Sequence, residues 1–145
     1  METNQHTVNF QLTNVELLSV ELHAPEQGLQ PDTIFEFDIK SGYQFYSDKT
    51  EIVAHTEILI KAKGHDKVLG KAVTAVMFQI QNWDEIVSIS NDKVDIPQQL
   101  MTVLHSIAYS TTRGMMYMQF RGTFLQNAHL PIIDPSNLSK ANPQS

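Results

Sequence analysis

The chain has 145 residues, 41% of them apolar, and a net charge of −6, a size and composition that support one domain with its own core. It contains no cysteine, which excludes a disulfide scaffold, a thiolate nucleophile and a zinc knuckle. The acidic balance speaks against nucleic acid as a partner, because phosphates recruit clustered Lys and Arg. No Lys or Arg precedes Lys40, and the longest apolar run, Ala72 to Phe78, is too short to span a bilayer, so a cytoplasmic protein without membrane insertion is expected.

In chain order, residues 7–23 alternate as a strand does. Val8, Phe10 and Leu12 are in phase, Val15 and Leu17 are out of phase, and Leu18, Val20 and Leu22 return, which predicts a long strand with a bulge near Thr13 and Asn14. Glu26 to Asp32, with Gly28 and Pro31, reads as a loop. Phe35, Phe37 and Ile39 then alternate with Glu36, Asp38 and Lys40 in a half-exposed second strand. Thr50 to Lys63 has the cleanest period of two, and Gly64, His65 and Asp66 turn the chain into a fourth strand, Val68 to Trp83, apolar on both faces.

At Pro97 the period becomes helical. Leu100, Val103, Leu104, Ile107, Ala108, Thr111, Met115 and Met118 recur at steps of three and four, with proline suited to the first turn. Gly122 can take the left-handed conformation that follows a helix, and Asp134 with Pro135 predicts one short final helix. Residues 1–6 and 140–145 are expected to be flexible. The reading is a single α+β domain over residues 1–145: a four-stranded antiparallel sheet with a long helix and a short C-terminal helix on one face.

The search for chemistry returns little. Gly64 to Gly70-Lys71-Ala72 has the wrong spacing for a phosphate loop, no Ser or Thr after the lysine, and lies between antiparallel strands. The histidines His6, His23, His55, His65, His105 and His129 form no ligand pair at helical spacing. Asp84 and Glu85 beside Trp83 give no basis for acid and base roles. No catalytic residue, metal site or cofactor is expected. Four of six methionines, Met101, Met115, Met116 and Met118, cluster on the helix, where a flexible thioether adapts to irregular apolar partners. Between Ile96 and Ile133 only Arg113 and Arg121 are charged, as expected of a core or an interface.

Two segments carry a resemblance. Phe10-Gln11-Leu12 through Glu21-Leu22-His23-Ala24-Pro25 resembles the opening strand of the SecB protein-export chaperones. Arg121-Gly122-Thr123-Phe124-Leu125-Gln126-Asn127-Ala128-His129-Leu130-Pro131-Ile132 is similar to the loop that follows that family's main helix. Here Leu125 stands where the family has a proline, and Tyr109-Ser110-Thr111-Thr112-Arg113-Gly114 replaces its Pro-Tyr-Ala-Arg motif.

The resemblance implies an ATP-independent holdase for unfolded or precursor polypeptides, with no enzymatic activity. It implies a homotetramer built as a dimer of dimers, with Leu100, Val103, Leu104, Ile107 and Thr111 as helix interface. The client groove would take Phe35, Phe37, Tyr43, Phe45, Tyr46, Met115, Met118, Phe124, Leu125 and Leu130. The face by which the family contacts the SecA motor falls on Ser19, Glu21 and His23, where only Glu21 is acidic, so weak SecA binding is expected. Two alternatives stand beside this reading: a SecB-like chaperone dedicated to a toxin-antitoxin module, and a small-molecule-binding protein with a pocket between sheet and helix.

Overall fold

The computed structural model describes residues 9–133 apart from residue 92. Four long strands come first: β1 (Phe10–Leu22), β2 (Phe35–Tyr46), β3 (Glu51–Ala62) and β4 (Val68–Ile80). A single helical turn, α1 (Trp83–Ile86), and a small hairpin of β5 (Ser88–Ser90) and β6 (Lys93–Asp95) lead to the long helix α2 (Gln98–Gln119). The long strands form one antiparallel sheet in the order β1-β4-β3-β2. The expected α+β sheet with a covering helix is therefore present, while the short final helix from Asp134 and the expected flexible ends lie outside the described residues.

The strand order places β1 and β2 at opposite edges, so the connection 23–34 must cross the end of the sheet where β3 turns into β4. That crossing loop determines where the concave surfaces of the molecule lie. The sheet also has two different faces. Ile52, Ala54, Thr56, Ile58 and Ile60 of β3 are buried toward α2, whereas His55, Glu57 and Lys61 point to the other face. Ion pairs Lys61–Asp38 (3.2 Å) and Lys71–Glu57 (3.3 Å) run across that outer face.

β1 departs from simple alternation at two places, between Leu12 and Asn14 and again between Leu17 and Ser19. The first irregularity is the predicted bulge. The second leaves Leu18 exposed and returns Val20 and Leu22 to the register positions of Ala72 and Gly70, which belong to the helix side. Each extra residue reverses the side-chain phase, so two of them keep Phe10, Val15, Leu17 and Val20 on one face.

Several boundaries differ from the sequence reading. β2 does not stop near Lys40 but continues through Ser41 and Gly42 to Tyr46, paired with β3 throughout. β4 ends at Ile80, and Trp83, expected at its end, begins α1. Pro97 occupies the N-cap of α2, one place before the first turn. The apolar layer consists of two clusters. One gathers Phe78, Trp83, Leu100 and Leu104; the other gathers Ile60, Met116, Phe120 and Leu125. Between them Thr74 and Thr112, both fully enclosed, share a hydrogen bond of 2.7 Å.

Candidate functional site

At the end of the sheet where the crossing loop passes, three segments converge: the loop itself, the β3–β4 turn and the chain that follows α2. Each is held by its own hydrogen bonds. In the crossing loop both the N–H and the hydroxyl of Thr33 donate to the Gln30 carbonyl, at 3.0 and 2.6 Å, closing a tight turn. His23 N–H donates to Leu69 O (2.9 Å), Lys63 N–H to Ile34 O (2.8 Å) and Lys67 Nζ to Ala24 O (2.7 Å), fastening both ends of the loop to the β3–β4 turn.

After α2 the chain reverses through Gly122, whose φ of 77° lies in the left-handed region that glycine enters without steric cost. Thr123 consolidates the reversal: its hydroxyl donates to Phe120 O (2.7 Å) and accepts from Leu125 N–H (3.1 Å). Leu125 then closes over the sheet at Gly70, where a Cβ would come within 2.3 Å of the Leu125 Cδ1 atom. Gly70 is therefore a close-approach glycine that lets the post-helix segment dock. The Tyr109 hydroxyl donates to Pro131 O and fastens the segment further along; burial raises that phenol's pKa, partly offset by the Arg113 charge.

Between the crossing loop and the post-helix segment lies a concavity of about 390 Å³, bordered by Leu29, Pro31, Phe35, Phe124 and Asn127. On the other side of the loop a larger one, about 700 Å³, is bordered by Glu26, Asp32, Lys63, Asp66 and Lys67. Leu29, Gln30 and Thr33 border both, so the loop is a shared wall. The smaller concavity mixes the aromatic rings of Phe35 and Phe124 with the polar side chains of Gln30, Thr33, Gln126 and Asn127, and the larger carries both acids and lysines among apolar residues.

The expected groove residues do not all meet there. Phe35 and Phe124 line the smaller concavity, and Phe37 packs beside them in the second cluster. Tyr43 and Phe45 pack against the first cluster instead; Tyr43 lies edge-on to His105 at 4.6 Å, and burial pushes its phenol well above the ordinary range. Tyr46 points to the opposite face, donating to Gln44 Oε1 at 2.7 Å. Met115 is half-buried and Met118 largely exposed. Leu125 and Leu130 are buried in the second cluster, where they support the wall from beneath and present no surface to a ligand.

The expected helix interface divides in the same way. Leu100 and Leu104 face the sheet and belong to the chain's own core, because a helix on a sheet turns its most apolar stripe inward. Ile107 and Thr111 are half-buried, and Val103 is exposed. On the outer sheet face Ser19 sits opposite Val73 and Glu21 opposite Lys71, whose Nζ is 4.0 Å from the Glu21 carboxylate. His23 is exposed just past the strand.

Among the described residues no three His, Asp or Glu side chains converge on a metal-sized site, and no buried side-chain nitrogen or oxygen lacks a hydrogen-bond partner. The space between sheet and helix, where a small-molecule pocket was one expectation, is filled by Ile58, Val76, Leu104, Met116 and the threonine pair. Both concavities open at the loop end instead. No helix among the described residues is long and apolar enough to cross a membrane.

No protein-family model matches the chain, and no curated protein does. Among solved structures it is similar to the SecB-like chaperone Rv1957 of Mycobacterium tuberculosis, in complex with a ChAD peptide from the Rv1956 HigA1 antitoxin. The two superpose with a TM-score of 0.58 at 13% identity, over 86% of this chain and 90% of that one. The chain has a SecB-like fold.

Proposed function

We propose that this protein is a non-enzymatic chaperone that holds unfolded polypeptide segments at the loop end of its sheet, in the concavity between Phe35 and Phe124. That concavity with two aromatic rings at its rim, opening beside a larger one across the crossing loop, is the observation that carries the reading. A cleft that sets aromatic rings beside amide and hydroxyl side chains can take apolar side chains and peptide groups alike, and what binds the unfolded state holds it by mass action. The SecB-like fold supports the reading, as does the peptide in the similar structure from M. tuberculosis. Such a holdase works without ATP. The test is aggregation of a slowly refolding protein with and without equimolar chaperone, in buffer free of nucleotide. Aggregation unchanged for every client tested would overturn the proposal.

The finer expectations belong to the same proposal. The chain acts as one domain, in the cytoplasm, and assembles through the uncharged outward side of α2 around Val103, half-buried Ile107 and Thr111, as a dimer of dimers. Light scattering checks this. Contact with SecA is weak, because Glu21 shares its neighbour Lys71 with Glu57, and Ser19 and His23 add no carboxylate. A chaperone dedicated to one antitoxin is the second reading, favoured by the antitoxin peptide in the similar structure; the breadth of clients bound separates it from general protein export.

A further inference from the structure

Positive charge is scarce on this chain, and along α2 it is set in one line. Between Ile96 and Ile133 the only charged residues are Arg113 and Arg121, and no acid lies among them. They flank Tyr117 at steps of four, so the three share one stripe, with Arg121 just past the C-cap Phe120. Tyr117 and Arg121 are exposed and Arg113 is half-buried. Neither arginine forms an ion pair among the described residues, whereas Lys61 and Lys71 are both paired.

The returning chain completes the stripe. The Tyr109 hydroxyl holds Pro131 beside the helix, and the same stretch lays His129 against Tyr117, ring centroids 5.7 Å apart and planes at 30°. The phenol ring is thereby held in place between the two guanidinium positions while more than half of it, 55%, stays open to a partner. None of these four residues borders either concavity, and the stripe lies at the opposite end of α2 from Val103.

We infer that this stripe docks an extended acidic segment of a partner polypeptide, of the pattern acid-x-aromatic-x-acid. The pattern follows from two repeats that nearly coincide. Four residues of a helix advance about 6 Å, and two residues of an extended chain advance about 6.7 Å. Alternate side chains of an extended segment therefore meet Arg113, Tyr117 and Arg121 in turn. Each carboxylate accepts two parallel hydrogen bonds from a guanidinium fork, and the aromatic ring packs on the open part of Tyr117. A nucleic acid strand also suits arginine and a stacking ring. Two arginines, however, give few phosphate contacts, and the rest of a chain with net charge −6 repels a polyanion. The inference concerns a second surface and does not depend on the chaperone reading.

Fluorescence anisotropy at low ionic strength tests this on the intact protein, with a labelled, end-blocked peptide whose core is Glu-Ser-Phe-Ser-Glu. One control replaces both acids by lysine; the other, Glu-Ser-Ser-Phe-Ser-Ser-Glu, moves each acid one residue further from the ring. The first peptide should bind about tenfold or more tighter than either control, and should weaken about tenfold in Arg113→Gln, in Arg121→Gln and on adding salt. Arg121 is exposed, so its variant reports on binding even where Arg113→Gln alters folding. No binding by the wild type, equal binding of the three peptides, or binding indifferent to Arg121→Gln would overturn the inference. Tighter binding of an oligothymidylate than of the acidic peptide would assign the stripe to nucleic acid. Salt-sensitive self-association that is lost in Arg121→Gln would assign it to a second copy, and either result also overturns the inference.

Discussion

The two ends of the sheet-helix layer are built from the same strands and the same helix, yet one is sealed and the other is open. At the sealed end Phe78, Ile80, Trp83, Ile86 and Leu100 close over one another beneath the β5–β6 hairpin. At the other end Phe120, Leu125 and Leu130 fill the core, but the crossing loop stands away from the post-helix segment and leaves the concavity between Phe35 and Phe124. The difference arises from topology. A β1-β4-β3-β2 order forces one long connection across one end of the sheet, and a connection that must reach the far edge cannot also pack flat. The proposed binding site lies where the chain crosses, and the closed core lies where it does not.

The largest contrast is expected from truncating Leu104, fully buried at the sealed end. Leu104→Ala should cost about 2–5 kcal/mol in denaturant unfolding and leave client affinity per folded molecule unchanged. Gly70→Ala at the open end should cost less, about 1–3 kcal/mol, because the new methyl group pushes on Leu125 Cδ1, the far end of a side chain with little space to yield. Unlike the Leu104 variant, it should also weaken client binding, since Leu125 positions Phe124. A Gly70→Ala protein with normal client binding would separate the two ends less sharply than described.

The threonine pair at the boundary gives a finer test. Thr112 donates to Ala108 O at 2.7 Å, so its proton is engaged and Thr74 must donate to Thr112 Oγ1. Thr112→Val strands the enclosed Thr74 hydroxyl and should cost about 1–3 kcal/mol. Thr74→Val leaves Thr112 its carbonyl and should cost less, and the double variant should recover part of the loss. Equal single costs with no coupling would contradict this proton arrangement.

The smallest effect is a pH dependence. Burial beside Tyr43 holds the His105 pKa below its ordinary value of 6.5. The unfolded chain therefore takes up this proton first. Stability present above pH 6.5 is lost as pH falls through the lowered folded value. His105→Gln should flatten that acid slope in melting curves, even if it lowers stability at neutral pH by removing the ring contact.

Much of the fold was legible because a half-buried sheet writes its period into the sequence. The phase reversals at Thr13–Asn14 and at Leu17–Leu18 are visible as such, and both are irregularities of β1. Ser41 and Gly42 concealed the length of β2: they read as turn residues, and only pairing with Thr56 and His55 keeps them in the strand. The β5–β6 hairpin was missed because two three-residue strands bury little, although Ser88-Ile89-Ser90 and Lys93-Val94-Asp95 alternate about an Asn-Asp pair, with Asn91 at φ 52°. Helical periodicity identified α2 but could not say whether its apolar stripe meets its own sheet or another chain. Leu100 and Leu104, expected at an interface, therefore lie in the chain's own core. The resemblance implies one groove for Phe35, Phe37, Tyr43, Phe45 and Tyr46, but strand alternation and length divide them among the concavity, the sealed core and the outer face.

The most direct test titrates reduced, carboxamidomethylated ribonuclease A into the wild-type protein and into Phe124→Glu, with thermal melting of both. Phe124 is half-buried at the rim of the concavity, so the substitution should leave folding largely intact while lowering client affinity by about tenfold or more. Equal affinity in the two proteins, or none in the wild type, would contradict the placement of polypeptide binding at the open end.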